Sequence, residues 1–204
     1  MTYFPLFMKI ENREVLVCGG GAEACEKVKR LYSFRPRIRV VSENLSPEME
    51  ELDAVTIEKH RFTEKDLEPV PLFVVAAEEK AETRRIVSAC RKHRIPVNAA
   101  DQPDQCDFFF PALISTDQLC VGISTGGVSP TAAVVLRERI AEQIPANIDE
   151  ILLGMIAARQ TVQKTGLPKE MKKKLLRQIA QQAFAAGRPL TDRELKNLIA
   201  CADV

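Results

Sequence analysis

Residues 15–27 read VLVCGGGAEACEK, and this stretch decides the fold. Its first four residues are apolar and two of them are valines, which is typical of a buried parallel strand. Three glycines follow at once, and apolar residues then recur at helical spacing from Ala22 to Tyr32. The stretch therefore predicts a strand, a glycine turn and a helix in direct succession.

The glycines of this turn fit the pattern G-x-G-x-x-A. In that pattern Gly19 makes the tight turn, Gly21 lets the backbone approach a pyrophosphate, and Ala24 keeps the helix close to the strand. The helix start at Ala22 and Glu23 supplies free N–H groups and a partial positive charge. The alternative is a strand–helix turn that binds nothing. Because the flanking strand and helix are those that the motif requires, the stretch predicts dinucleotide binding.

Strand and helix patterns alternate on both sides of the glycine turn. Besides residues 15–18, strands are expected at 6–10, 37–41, 55–57, 71–77 and 95–98, and helices after the first at 47–52 and 80–93. This alternation predicts an α/β fold built on a Rossmann-like parallel sheet. Ligands of such sheets bind at the carboxyl ends of the strands, so Ala77 and Asn98 are expected to border the site.

The pattern changes after Asp101. Short strands are expected at 108–110 and 119–123, and a helix with Ser129 as its N-cap is expected to end near residue 144. Three further helices are expected at 148–165, at 169–186 and after the capping box at 191–194. The predicted domains are residues 1–112, Rossmann-like and NAD-binding; 113–146, a small strand–helix domain; and 147–204, helical.

Composition excludes several classes of partner. The 204 residues are 46% hydrophobic and 28% charged with a net charge of +1, which gives no argument for nucleic-acid binding. Residues 1–9 lack the order of a signal peptide, and no apolar run is long enough to cross a membrane. The six cysteines form no C-x-x-C pair and are expected to be free thiols of a cytoplasmic protein. Neither His60 nor His93 has cysteines or carboxylates at metal-ligand spacing, so no metal site is predicted.

Five separated segments resemble one enzyme family. They are FPLF at residues 4–7, the glycine turn with Ala24 and Lys27, NAAD at 98–101, FFPA at 109–112 and STGGVSP at 124–130. The chain resembles precorrin-2 dehydrogenase, which is the amino-terminal half of siroheme synthase and also occurs as a stand-alone enzyme. The resemblance covers residues 3–144 closely and the helical tail in outline.

The resemblance implies an activity and an assembly. Members of the family oxidise precorrin-2, a tetrapyrrole, to sirohydrochlorin with NAD+, and some also insert ferrous iron as a ferrochelatase. The family forms a homodimer, and the resemblance makes residues 113–146 the dimerisation domain. Asp101 matches the catalytic aspartate of the family. Within this resemblance Asn98, Ser124 and Thr125 are expected to contact the substrate.

The cofactor site follows from the glycine turn together with the resemblance. Glu43 and Asn44 match the family's contacts to the adenosine ribose, and a carboxylate there favours NAD over NADP because it repels a 2′-phosphate. The residues expected to bind the cofactor are Gly19, Gly21, Ala22, Glu23, Glu43, Asn44 and Ala77.

Less specific interpretations of the same residues stay open. From spacing alone, Asp101 fits a turn residue, and Asn98 fits an asparagine that fixes its own loop. At the level of function, the alternative is a non-catalytic NAD-binding module that senses redox state or docks a partner. Such a module needs the glycine turn and Glu43, but it has no need of Asp101 or of residues 124–130.

Overall fold

A computed structural model describes residues 3–202 of the chain. The chain forms two compact units that meet at the Phe110–Pro111 bond. The expected division of the chain into domains 1–112, 113–146 and 147–204 stays a prediction. Among the described residues, no helix combines the length and the apolar character needed to cross a membrane.

The first unit is a parallel sheet with connecting helices. Its elements are β1 Glu14–Cys18, α1 Ala22–Tyr32, β2 Arg37–Val41, α2 Pro47–Glu50, β3 Val55–Glu58, β4 Val74–Ala76, α3 Lys80–Lys92 and β5 Val97–Ala99. The five strands are ordered β3-β2-β1-β4-β5, and every neighbouring pair is parallel. The expected Rossmann-like α/β fold is therefore confirmed.

The central strand β1 belongs to the core on both faces of the sheet. Leu16 and Cys18 pack in one apolar cluster, whereas Val15 and Val17 pack in the cluster on the opposite face. All four side chains are fully buried, which explains why this strand is a continuous apolar run. Ala24 of α1 is also fully buried, and its small side chain lets the helix lie close to the sheet.

Two expected strands are wrong. Residues 6–10, within the described part of the chain, pair with no strand, and Leu6 and Phe7 are 70% and 71% exposed. Because β1 already lies between β2 and β4, it offers no free edge to this segment. Residues 108–110 are also not a strand; instead, the rings of Phe108 and Phe110 pack against the apolar core of the first unit, with the Phe108 ring edge-to-face on Phe73 at a centroid distance of 4.9 Å. Strand pairing starts two residues later, at Ala112.

The second unit is a hairpin followed by helices. Its elements are β6 Ala112–Ser115, β7 Cys120–Ile123, α4 Pro130–Ala141, α5 Ile148–Gln163, α6 Lys169–Ala186 and α7 Asp192–Ala202. The two strands are antiparallel. The hydroxyl of Ser129 accepts a hydrogen bond from the Ala132 amide at 3.1 Å, as expected for the N-cap of α4. Thr191 and Glu194 form the expected capping box of α7.

Candidate functional site

The glycine turn is packed tightly against two neighbouring loops. Gly19 has a φ of +135°, and a side chain there would collide with the carbonyl of Ala77, the residue after β4. A side chain at Gly20 would collide with the carbonyl of Asn44, which lies in the loop after β2. The first two glycines therefore let the turn fit between the carboxyl ends of β2 and β4.

Gly21 has a different environment. Apart from the residues next to it in the chain, a side-chain Cβ at this position would meet no atom within 4 Å among the residues that the structure describes. Gly21 is the N-cap of α1, its φ is −83°, and it has no side chain to accept a bond from the amides of the first turn. The start of α1 at Ala22 and Glu23 therefore faces open space with the partial positive charge of the helix N-terminus, which suits an anionic group.

The loop after β2 carries the residues expected to contact the ribose. Glu43 and Asn44 are both exposed there. The buried hydroxyl of Ser42 donates a hydrogen bond to a Glu78 carboxylate oxygen at 2.7 Å, which links this loop to the segment after β4. The backbone amide of Ser46 donates to the carbonyl of Gly20 at 2.8 Å. Glu43 thus lies on a loop that is bonded directly to the glycine turn.

A cavity of about 240 Å³ opens beside the first turn of α1. Its wall combines side chains of α1 with the loop after β5 and the aromatic segment before the second unit. The lining residues are Glu23, Lys27, Asn98, Ala99, Ala100, Asp101, Gln102, Pro103, Cys106, Phe109 and Phe110. Asp101 is exposed and has a φ of +54°, so a tight turn of the backbone sets the position of its carboxylate.

Hydrogen bonds of Asn98 and Cys106 hold the loop after β5 in place. Asn98 is 6% exposed, and its side-chain Nδ2 atom donates a hydrogen bond to the Phe108 carbonyl at 2.9 Å. The Cys106 sulfur accepts from the Ala99 amide at 3.2 Å, and its thiol lies at hydrogen-bonding distance from the Ala99 carbonyl. These contacts support the interpretation of Asn98 as a loop-fixing residue. Its expected contact to substrate stays a prediction.

Charges are concentrated in this cavity. The pKa of Glu23 is raised, first because partial burial penalises its charged form and second because Asp101 adds a nearby negative charge. Lys27 opposes this shift, with its Nζ atom 4.0 Å from the Glu23 carboxylate. The same Nζ atom lies 5.5 Å from the ring centre of Phe110. The cavity therefore presents two acidic groups and one cation to whatever fills it.

The structure does not unite all the expected site residues in one unit. Ser124 and Thr125 belong to the second unit, where they shape the turn before α4. The Thr125 hydroxyl accepts from the Ser129 amide at 3.1 Å and lies 2.9 Å from the Ser129 carbonyl. The Ser124 hydroxyl accepts from the Gly126 amide at 3.1 Å. Their expected contact with substrate stays a prediction.

Several features of the site were not predicted from the sequence. The motif pattern leaves the middle glycine unassigned, yet Gly20 is packed against the loop after β2. No sequence pattern relates Ser42 to Glu78, because the two are neighbours only in the folded sheet. The contact between Lys27 and Glu23 could have been predicted, because the two residues are four positions apart and so lie on the same face of α1.

These residues fit a dinucleotide. The open space in front of Gly21 and the start of α1 match a pyrophosphate, and the exposed Glu43 carboxylate has the chemistry to accept bonds from ribose hydroxyls. Asp101 lies in the loop after β5, which is two strands away from β1 in the sheet. Its exposed carboxylate is available to take a proton or to orient a reacting ring at that end of the site.

Comparisons with known proteins agree with this geometry. The chain is 33% identical over 201 residues to the siroheme synthase of Thioalkalivibrio sulfidiphilus, covering 95% of this chain and 41% of that protein. It is 35% identical over 149 residues to the siroheme synthase of Methylococcus capsulatus, covering 72% of this chain and 31% of that protein. The chain thus spans about two fifths or less of the length of these relatives.

Its fold matches a solved structure, "SirC, precorrin-2 dehydrogenase", with a TM-score of 0.76 and 22% sequence identity, covering 98% of this chain and 99% of that one. A family model described as "Putative NAD(P)-binding" matches residues 6–112. Because this match covers more than half of the 204 residues and includes the glycine turn, the chain belongs to that NAD(P)-binding family.

Proposed function

We propose that this chain catalyses the NAD+-dependent dehydrogenation of precorrin-2 to sirohydrochlorin, a step of siroheme biosynthesis. The names of its relatives support this reaction, since the sequence relatives are siroheme synthases and the protein of similar fold is a precorrin-2 dehydrogenase. Membership of an NAD(P)-binding family supports the cofactor.

One structural observation carries the proposal. The cavity beside α1 is lined both by Glu23 and Lys27 of the cofactor-binding helix and by Asp101 of the loop after β5. A dehydrogenase needs the hydride acceptor and an acid–base group next to the same substrate carbon atoms. A module that only bound NAD would need no acid–base group at that place.

Each residue then has a defined role. Bound NAD+ supplies the chemistry of accepting a hydride. The start of α1 binds the pyrophosphate, and Glu43 accepts hydrogen bonds from the ribose, which selects NAD over NADP. The Asp101 carboxylate accepts the proton that leaves the neighbouring carbon. Lys27 adds a positive charge at the cavity wall, which attracts a substrate rich in carboxylates.

The proposal includes a homodimer. The helix α4 carries four apolar side chains that are each about two fifths exposed in the single chain: Val134, Val135, Leu136 and Ile140. A second copy of the chain would remove this surface from water.

The proposal also includes substrate contacts by Asn98, Ser124 and Thr125. Ferrous iron would be a second substrate in the same cleft. The proposal also places the chain in the cytoplasm, where its six free thiols would stay reduced.

The direct test is to incubate the purified chain with precorrin-2 and NAD+ under anaerobic conditions. Sirohydrochlorin and NADH should appear in equal amounts, and neither should appear when NAD+ is omitted. Binding of NAD+ without any turnover of precorrin-2 would instead support the non-catalytic module. Adding ferrous iron after the first reaction tests the chelatase step separately, because siroheme then forms from the accumulated sirohydrochlorin.

A further inference from the structure

Three metal-ligating groups meet at the outer end of the sheet, apart from the cavity beside α1. Glu58 is the last residue of β3, His60 follows two residues later, and Asp66 lies in the short helical turn at residues 64–67. One ligand atom from each of the three lies within 4.8 Å of the other two. No sequence spacing predicts this group, because the folded loop between residues 59 and 66 creates it.

The hydrogen bonds of His60 define which of its ring nitrogens is free. The Nδ1 atom lies 3.0 Å from the carbonyl of Arg61, and a carbonyl only accepts, so Nδ1 carries a proton. The Nε2 atom faces the Glu58 Oε2 atom at 3.2 Å and the Asp66 Oδ1 atom at 3.7 Å. A neutral ring would direct its lone pair at two carboxylates, which is repulsive unless a cation lies between them. A ring N–H bonded to a backbone carbonyl is also how metal-binding histidines are commonly oriented.

Each carboxylate has one oxygen engaged elsewhere and one directed at the cluster. Asp66 is 7% exposed, and its Oδ2 atom accepts from the amide of Thr63 at 2.6 Å. The Oε1 atom of Glu58 lies 3.5 Å from the Arg39 guanidinium, which leaves Oε2 for the cluster. Neighbouring ligands with bonds of about 2.1 Å to a metal lie roughly 3.0–3.4 Å apart. The His60 Nε2 atom lies 3.2 Å from Glu58 and 3.7 Å from Asp66, and one ligand atom from each of the three residues lies within 4.8 Å of the other two, so the groups would draw slightly closer around an ion.

We propose that Glu58, His60 and Asp66 bind one divalent cation, with water completing the coordination shell. One imidazole nitrogen and two carboxylate oxygens are ligands that suit Mn²⁺ and similar ions better than soft, thiol-seeking ions. His60 is partly exposed, so an ion can reach the site from solvent. Binding would join the end of β3 to the turn at 64–67. This site does not depend on the proposed dehydrogenase activity.

Manganese is the probe, because the six free cysteines would compete for softer metals. The full chain, dialysed against chelator and free of NAD+, is titrated with Mn²⁺ while electron paramagnetic resonance reports the free ion. One Mn²⁺ per chain should bind, and His60→Gln should weaken binding at least tenfold. His93→Gln is the matched control, since the ring of His93 faces a single carboxylate, that of Glu64, at 3.3 Å.

Three results would overturn this assignment: no stoichiometric uptake of Mn²⁺, uptake unchanged by His60→Gln, or equal losses in both histidine variants. The first would show that the three groups contact one another without binding a cation. Glu58→Gln, which should also weaken binding at least tenfold, provides a second variant if His60→Gln fails to fold. NAD+ affinity, measured on the same samples, should not change, so failure of this site is distinguishable from failure of the proposed function.

Discussion

Replacing Gly21 with valine should weaken NAD+ binding about 100-fold and leave the fold intact. The position lies at the start of α1 with extended backbone angles, φ −83° and ψ −177°, which a β-branched residue adopts without strain. Apart from the residues next to it in the chain, no described residue has an atom within 4 Å of where the new Cβ would be. The valine would therefore occupy the space in front of the helix N-terminus that the proposal gives to the pyrophosphate.

The two effects of Gly21→Val differ greatly in size. Valine is a poorer N-cap than glycine, so this exposed substitution, which meets no steric conflict, should lower the free energy of unfolding by about 1 kcal/mol or less. Excluding the pyrophosphate removes at least two hydrogen bonds to a charged group, each contributing about 1.5 kcal/mol. The loss of about 3 kcal/mol corresponds to roughly 100-fold weaker NAD+ binding.

Titration calorimetry with NAD+ and thermal unfolding measure these two quantities on the same protein. Gly20→Val is the matched control, because its side chain would collide with the Asn44 carbonyl and lie 2.8 Å from a methyl carbon of Leu45. That variant should lose about 1–3 kcal/mol of stability by overpacking. If Gly21→Val binds NAD+ as the unaltered chain does, the pyrophosphate does not lie at the start of α1.

Three further predictions concern other parts of the molecule. NAD+ should bind at least tenfold more tightly than NADP+, and Glu43→Gln should reduce the ratio of the two affinities. Equal affinities in the unaltered chain would contradict the proposed contact of Glu43 with the ribose. Hydrogen bonds from Arg85, and to a smaller extent from Arg61, lower the pKa of Glu82 from 4.5 to about 2. The charged carboxylate therefore stabilises the fold above pH 4.5, and this stabilisation is lost as the pH falls towards 2. Glu82→Gln should therefore lower the unfolding temperature at neutral pH and make the unfolding temperature less dependent on pH in acid. Lys80→Gln, at an exposed position of the same helix, should change neither quantity. Light scattering at micromolar concentration should give the mass of a dimer, and Leu136→Glu should give that of a monomer; a monomeric unaltered chain would refute the dimer.

The sequence predicts the first unit well where local signals and the fold agree. The apolar run at 15–18, the glycines and the helical spacing after them locate β1 and α1 correctly. Which segments pair as strands was harder to predict from the sequence, as residues 6–10 show. Their apolar residues suggest a strand, but whether a strand forms depends on a free sheet edge, and β1 has neighbours on both sides. Local pattern does not contain that information.

The candidate site was partly predictable for the same reason. Gly19, Gly21 and Glu43 follow strands, so the rule for carboxyl ends of parallel strands locates them. The bond from Ser42 to Glu78 and the grouping of Glu58, His60 and Asp66 arise from loops that approach each other only in the folded chain. The role of Asp101 rests on family resemblance, since its position in a tight turn by itself fits a structural residue equally well.

The most direct test of the central claim is the turnover of Asp101→Asn. This change keeps the shape of the side chain but removes its charge, so precorrin-2 oxidation should fall by about 10²–10⁴-fold, the usual contribution of a positioned acid–base group. NAD+ affinity should be nearly unchanged, because the glycine turn and Glu43 bind the cofactor. Asp104→Asn, at an exposed acid in the same loop, should retain full turnover. Near-normal turnover in Asp101→Asn, with a lowered unfolding temperature, would show instead that Asp101 only stabilises its loop.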